Sequence, residues 1–315
     1  MKMVNMQNLG TEKELLVDEI NYKDLFLIIW KSKLTISITT IIFLLGAVFF
    51  ALQMPNIYKS EVLLAPSEKN DNSGLAGLTG QLGGMASLAG INLGSPATSN
   101  TQLAIEVIKS RQFIANFIEK YKILPDLIAA ESWSLASNTL SFDADLYDPT
   151  TKTWVREVSP PYTPKPSTQE AYKVFMELFN VMEDPDTGMV QVSIEHLSPF
   201  IAQQWVNWLI LEINKEMKER DVAEALKSTE FLTEQLEQTK VVDIRAVLYK
   251  LVEEQARTIM LANVRDEYVF KTIDPAIAPQ EKSKPSRALI CLIGLLLGFL
   301  LSSMVVVFRH FNRQG

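Results

Sequence analysis

Ala288–Phe308 reads ALICLIGLLLGFLLSSMVVVF, and near the other end of the chain Leu34–Leu52 reads LTISITTIIFLLGAVFFAL. Neither stretch carries a charged residue. Each is about 20 residues long, enough to cross a hydrocarbon core of roughly 30 Å as an α-helix. Residues 53–287 lie between them. The sequence therefore predicts a hairpin of two membrane helices that displays one large domain on the far side of the bilayer. Little is left on the near side, a layout that excludes most enzyme classes.

The 315-residue chain is 47% apolar and 21% charged, with a formal net charge of −7. No basic stripe is present to neutralise phosphates, which argues against nucleic acid as a partner. The single cysteine, Cys291, lies inside the second apolar stretch. No disulfide can form within the chain, no Cys/His metal set exists, and no cofactor is expected. The first apolar stretch differs from a cleaved signal: 33 residues precede it, it is too long, and Phe49, Phe50, Leu52 and Met54 crowd its exit. Lys23, Lys31 and Lys33 precede it, whereas Lys59 alone follows closely. The positive-inside rule then puts the N-terminus in the cytoplasm, and two spans return the C-terminus there with Arg309 and Arg313. Lys282, Lys284 and Arg287 on the far side oppose this local bias; the first span and the parity of spans outweigh them.

Asn21–Lys33 reads either as a short interfacial helix turning into span one or as a plain extension of it. Ile57–Ala65 reads as a strand that Pro66 ends. Asp71–Pro96 holds seven of the chain's 13 glycines, with Gly74, Gly77, Gly80 and Gly83 at a period of three and Gly84 beside them. Leucines are interleaved, so this segment either buries an apolar face against neighbouring copies or the membrane, or is a disordered loop. Asn100 or Thr101 caps an expected helix to about Tyr121. Thr153–Val158 alternates in part. Ser167 or Thr168 caps another helix to about Val181, with Glu170 placed for a capping box. Asp184–Gly188 is a turn, and Met189–Glu195 is the clearest alternating strand. Ser198-Pro199 then opens a long helix to about Lys240, roughly 60 Å if unbroken. A break at Val241–Asp243, with Asp243 as cap, is expected before a return helix to about Val264. Asp266–Ile273 closes as a strand. The half of the long helix beyond Lys215 needs cover for Leu226, Phe231, Leu232 and Leu236. Ile244, Leu248, Leu251 and Ile259 of the return helix supply part of it, and identical neighbours the rest.

Catalytic constellations are missing from the sequence: there is no phosphate loop, no nucleophile elbow and no H-E-x-x-H. Glu253-Glu254 reads as a solvated helix face, His196 as a structural hydrogen-bonding group and Trp205 and Trp208 as core. The most specific signal precedes the second span. Pro275, Pro279 and Pro285 enforce a stiff, extended descent to the membrane. Gly294 and Gly298 then form G-x-x-x-G, which lets another helix approach closely.

This combination resembles the chain-length determinant family, the Wzz-type polysaccharide co-polymerases. In that family a proline-rich segment precedes a second span with G-x-x-x-G, and the pattern maps onto Pro275, Pro279, Pro285, Gly294 and Gly298. Ser283-Lys284-Pro285 departs from the Ser-Pro-Lys that the family often has. The resemblance implies a non-catalytic homo-oligomeric ring in the bacterial inner membrane. It would set the length of a surface polysaccharide, usually lipopolysaccharide O-antigen, with an integral-membrane polymerase that extends an undecaprenyl-linked chain. With the chain ending at Gly315, no fused kinase is expected. Gly74, Gly77, Gly80, Gly83 and Gly84 are the candidate inward loop at the ring's base.

The expected fold is an α+β periplasmic domain with a long projecting helical hairpin, flanked by two transmembrane helices. Its parts are residues 1–33 (cytoplasmic tail and interfacial helix), 34–54 (first span), 55–287 (periplasmic domain, with the long helix at 199–240), 288–308 (second span) and 309–315 (cytoplasmic tail). The competing reading is a periplasmic adaptor of a polysaccharide or other export system, against which the second span with its proline approach argues. A two-span sensor would need a cytoplasmic output domain.

Overall fold

The computed structural model describes Trp30, residues 32–67 and residues 100–314. The chain divides into two compact units, Met1–Met54 with Ser286–Gly315, and Pro55–Pro285. The described helices are α1 (Lys33–Gln53), α2 (Asn100–Lys109), α3 (Arg111–Tyr121), α4 (Leu124–Ile128), α5 (Thr168–Leu178), α6 (Pro199–Gln238), α7 (Val242–Val264) and α8 (Arg287–Gln314). The strands are β1 (Tyr58–Pro66), β2 (Ala130–Ser134), β3 (Thr139–Phe142), β4 (Tyr147–Asp148), β5 (Thr153–Trp154), β6 (Phe179–Glu183), β7 (Val190–His196) and β8 (Phe270–Asp274). The mixture of helix and sheet, with an apolar helix at each end, is the expected α+β class. The glycine-rich segment with Gly74, Gly77, Gly80, Gly83 and Gly84, and the Asn21–Lys33 helix apart from its last residues, fall outside the described residues.

The larger unit is built on an antiparallel sheet in the order β6-β7-β1-β8. Its register sets Val62 opposite Val192 and Leu64 opposite Val190, with Val181 opposite Val192 on the other side. Because side chains alternate along a strand, this register puts Val62, Leu64, Val181, Val190, Val192 and Ile194 on one face, and all six are buried. The first half of α6 belongs to the same core through Ala202, Trp205, Val206, Leu209, Ile213 and Met217, a stripe at helical spacing. Phe117 and Phe175 add α3 and α5 to it, with ring centroids 5.7 Å apart.

Local chemistry fixes the ends of these elements. Ser198 accepts from the Ile201 amide and Pro199 stands in the first turn of α6. Ser167 and Glu170 close the capping box of α5. Arg156 reaches the Glu170 carboxylate at 2.8 Å and, with the Ser167 amide, pushes its pKa down to about 2. In the Asp184–Gly188 turn, the Asp184 carboxylate accepts from the Asp186 amide and the Thr187 hydroxyl, and Gly188 takes φ +68°.

Several elements differ from the sequence expectation. The helix expected from 101 to 121 is two helices, because Ser110 turns extended (ψ 146°) and caps the second on the Phe113 amide. The helix expected to reach Val181 ends at Leu178. Phe179 and Val181 gain more as buried strand residues paired with β7 than as a last helical turn. The Thr153–Val158 strand shrinks to a two-residue pairing with β4. Val241, not Asp243, occupies the N-cap of α7, without a side-chain bond. The strand expected from Asp266 starts only at Phe270, since Tyr268 and Val269 are engaged by α6 instead.

That engagement centres on Asn214. Its Oδ1 accepts from the Val269 and Phe270 amides at 2.8 and 2.9 Å, and its Nδ2 donates to the Ile210 and Phe270 carbonyls at 3.1 and 3.2 Å. The side chain is only 5% exposed. Two turns further along α6, the Tyr268 hydroxyl donates to Asp221 at 2.6 Å, and burial with that carboxylate raises the phenol's pKa. Asn214→Leu keeps the branched side-chain shape but strands two buried N–H groups. It should cost on the order of 3 kcal/mol, read as a lowered denaturation midpoint of the detergent-solubilised chain.

His196 serves structure, as the sequence suggests. The Ser198 amide donates to Nδ1 at 3.0 Å, so Nε2 carries the proton and donates to the Asp126 carbonyl at 3.1 Å. Burial against Trp205 (centroids 5.0 Å apart) pushes the imidazole pKa down. The unfolded chain therefore takes up this proton first as pH drops below about 6.5. Stability from this group is complete above that pH and declines below it. His196→Gln should flatten that part of the pH dependence, measured as denaturation midpoints across about pH 5 to 8.

Candidate functional site: the helix pair and the proline segment

The smaller unit pairs α1 and α8. Mean hydropathies of 2.3 and 2.7 make Lys33–Gln53 and Arg287–Arg309 long and apolar enough to cross a membrane. The helix that begins at Arg287 continues past the expected end at Phe308 to Gln314. The glycines of G-x-x-x-G lie where the helices meet. A Cβ added at Gly298 would stand 2.8 Å from the Phe43 Cβ and 3.2 Å from the Thr40 Cα. A Cβ at Gly294 would collide outright with the Ala47 Cβ. Real side chains essentially never approach so closely, so any larger residue must push the helices apart. Gly46, by contrast, has open space around it.

The proline segment belongs to the larger unit. After β8, residues 275–285 run without regular structure. Two side chains fasten this run: the Ser60 hydroxyl donates to the Ile277 carbonyl at 2.7 Å, and Gln203 Nε2 donates to the Ala276 carbonyl at 2.9 Å. Ala276 is buried while Pro275 is exposed. Further on, the Ile57 amide donates to the Lys284 carbonyl at 2.9 Å and the Ser283 amide to the Ile57 carbonyl at 2.8 Å. The Lys284 ammonium lies 2.6 Å from Glu195. The stretch of chain leaving α1 and the stretch entering α8 are thus bonded to each other within this unit. Nothing in the sequence marked Ser60, Gln203 or Asn214: a single polar residue on an otherwise apolar element has no periodic signature, and its partner lies far away in sequence. Their one clue was being polar at positions where the pattern asks for apolar side chains.

The helical hairpin is partly self-covered. Leu236 is buried and Leu232, Leu248, Leu251 and Ile259 are half-buried. Leu226 and Phe231 stay exposed, and so does Ile244, which was expected to cover them. Val247 and Met260 of α7 are exposed too. The reason is rotational: α7 begins at Val242 and turns Ile244 to solvent.

These features describe an α+β domain between two helices long and apolar enough to cross a membrane. Residues 18–121 match the model of the "Chain length determinant protein" (Wzz) family. Residues 233–311 match that of the "G-rich domain on putative tyrosine kinase". The first of these matches likens about a third of the chain to the chain length determinant family. Among solved structures it is similar to a "full-length bacterial polysaccharide co-polymerase", with 13% identity and a TM-score of 0.36 over 92% of this chain and 98% of that one. It is similar also to a fragment of WzzB, the polysaccharide co-polymerase from Salmonella Typhimurium, with 13% identity and a TM-score of 0.29 over 73% of this chain and 100% of that one. No curated protein sequence matches it.

Gly294→Leu with Gly298→Leu should separate α1 from α8 without releasing the protein from the membrane. With Cys291→Ser as background, spin labels at the exposed Leu52 and Leu289 leave the glycine contact undisturbed. The distance between them should lengthen in the double variant.

Proposed function

We propose that this chain regulates the length of a bacterial surface polysaccharide, in the first instance lipopolysaccharide O-antigen. It acts as an oligomeric inner-membrane scaffold beside the integral-membrane polymerase that extends an undecaprenyl-linked chain. The observation that carries this reading is that each family-matched region runs through one of the two apolar helices. The likeness therefore includes the anchors and both edges of the domain.

In this reading residues 1–33 and 309–315 are cytoplasmic, 34–54 and 288–308 span the membrane, and 55–287 are periplasmic. Gly294 and Gly298 keep the two spans in register. Pro275, Pro279 and Pro285 set the descent into the second span, and the Ser60 and Gln203 bonds hold that descent against the domain. The exposed Leu226, Phe231, Val247 and Met260 of the hairpin offer apolar surface that a neighbouring copy would cover in a ring. Gly74, Gly77, Gly80, Gly83 and Gly84 form the inward loop at its base.

The match of residues 233–311 to a domain described on tyrosine kinases supports one further partner, a separate kinase acting on the same machinery. An export adaptor remains the competing assignment, and it predicts co-purification with an outer-membrane channel.

The test is a gel of surface polysaccharide from a strain lacking the chain, with and without the gene restored. The modal cluster of lengths should collapse to a broad spread and return on restoration. Restoration with the Gly294→Leu/Gly298→Leu variant should leave the spread broad. An unchanged ladder for every surface glycan would move the adaptor assignment to the front.

A further inference from the structure

Besides their glycine contact, α1 and α8 leave an open groove of about 380 Å³ on the surface of the helix pair. It begins at Trp30 and Lys33 and follows Ser37, Thr40 and Leu44 of α1 against Leu295 and Phe299 of α8. Lys33 to Leu44 corresponds to about 16 Å of helix rise. That is close to half of a hydrocarbon core of roughly 30 Å. The groove thus has the length of one membrane leaflet.

Its two ends differ in chemistry. Along its length the lining is mostly apolar (Ile36, Ile41, Leu44, Leu295 and Phe299), and the Thr40 hydroxyl is spent on the Ile36 carbonyl, at 2.8 Å. At its mouth the Lys33 ammonium sits 5.5 Å from the centroid of the Trp30 ring. A tryptophan beside a lysine is the pairing that settles at the headgroup level of a bilayer. The first turn of α1 holds no acidic residue, and Ser32 makes no side-chain cap bond there. No carboxylate on this turn competes for Lys33.

A packed helix from another chain would cover the full span and has no need of a cation. The lining stops at Leu44, half way, and carries its charge at one end only. A molecule with one acyl-chain length of hydrocarbon and a negative head matches both features. We propose that the groove holds an anionic phospholipid, its phosphate at Lys33 and Trp30 and one acyl chain lying along α1 between Ser37 and Leu44. The groove borders the glycine contact, sharing Thr40 with Gly298, and it is independent of which polysaccharide is regulated.

The chain carries a built-in reporter. Trp30 is the only one of its five tryptophans in the smaller unit; Trp133, Trp154, Trp205 and Trp208 all belong to the larger one. Bromine on an acyl chain quenches tryptophan on contact. Full-length protein is reconstituted in bilayers containing phosphatidylglycerol or phosphatidylcholine brominated in the upper part of the chain. Signal that disappears in Trp30→Phe is assigned to Trp30. Half-maximal quenching of Trp30 should need about fivefold less brominated phosphatidylglycerol than phosphatidylcholine, the preference one interfacial lysine confers. Lys33→Gln should abolish that preference and Lys33→Arg restore it. Ser37→Phe should fill the groove and reduce quenching by both lipids. Equal quenching by the two lipids with no effect of Lys33→Gln would overturn the proposal, leaving only unselective surrounding lipid. Absence of Trp30 quenching by either lipid would overturn it as well, and quenching that appears only after the oligomer dissociates would assign the groove to a second copy. None of these outcomes depends on the glycan gel.

Discussion

One buried amide holds the larger unit together. Asn214 sits on the inner face of the long helix and meets all four of its hydrogen-bonding positions, three of them on Val269 and Phe270 at the entrance to β8. An apolar side chain there would pack equally well and leave those backbone groups without partners, at a cost well above that of an ordinary lost hydrogen bond. The consequence is positional. The chain returns from a hairpin of 63 helical residues in α6 and α7 and must rejoin the sheet in one register. Asn214 and the Asp221–Tyr268 bond fix where it does so. From that point β8 pairs with β1, and the run of residues 275–285 follows alongside.

The second consequence reaches the edge of the domain. β1 follows directly from the first apolar helix, and the proline segment leads directly to the second. Ile57 bonds to Ser283 and Lys284, so the two stretches leave the domain as a bonded pair. Extended proline-rich backbone has few partners of its own, because each proline lacks an N–H. Here Ser60 and Gln203 supply donors to its carbonyls. Hydrogen bonding across the two stretches holds them near each other without a disulfide.

Hydrophobic surface is distributed unevenly. The sheet and the first half of α6 bury most of theirs, leaving Met182, Phe200, Leu211 and Ile273 exposed, while the hairpin beyond Met217 buries only Ala225, Leu236 and Ala262. A lone hairpin with Leu226, Phe231, Ile244, Val247 and Met260 exposed is poor design for a monomer. It suits an assembly in which neighbours meet along their helices. In the membrane unit the groove by Trp30 and Lys33 presents the same question to a different solvent, where lipid is the default occupant.

Much of this was written locally in the sequence. Two uninterrupted apolar runs, the Ser198-Pro199 start, the Ser167–Glu170 box, the DPDTG turn and the alternation of Val190, Val192 and Ile194 are all short-range signals, and each element they mark is present. Gly294 and Gly298 were legible by spacing alone. Tertiary structure decided what depends on distant partners. Phe179–Val181 is strand because β7 lies beside it, and Ser110 divides a helix because both halves find separate places in the core. Ile244 faces solvent because of the rotational setting of α7, and Asn214, Ser60 and Gln203 matter because of carbonyls and amides more than 50 residues away. Periodicity reports which side of an element is apolar. It carries no information on which other element will meet that side, because that choice is settled by packing and hydrogen bonding summed over the whole domain.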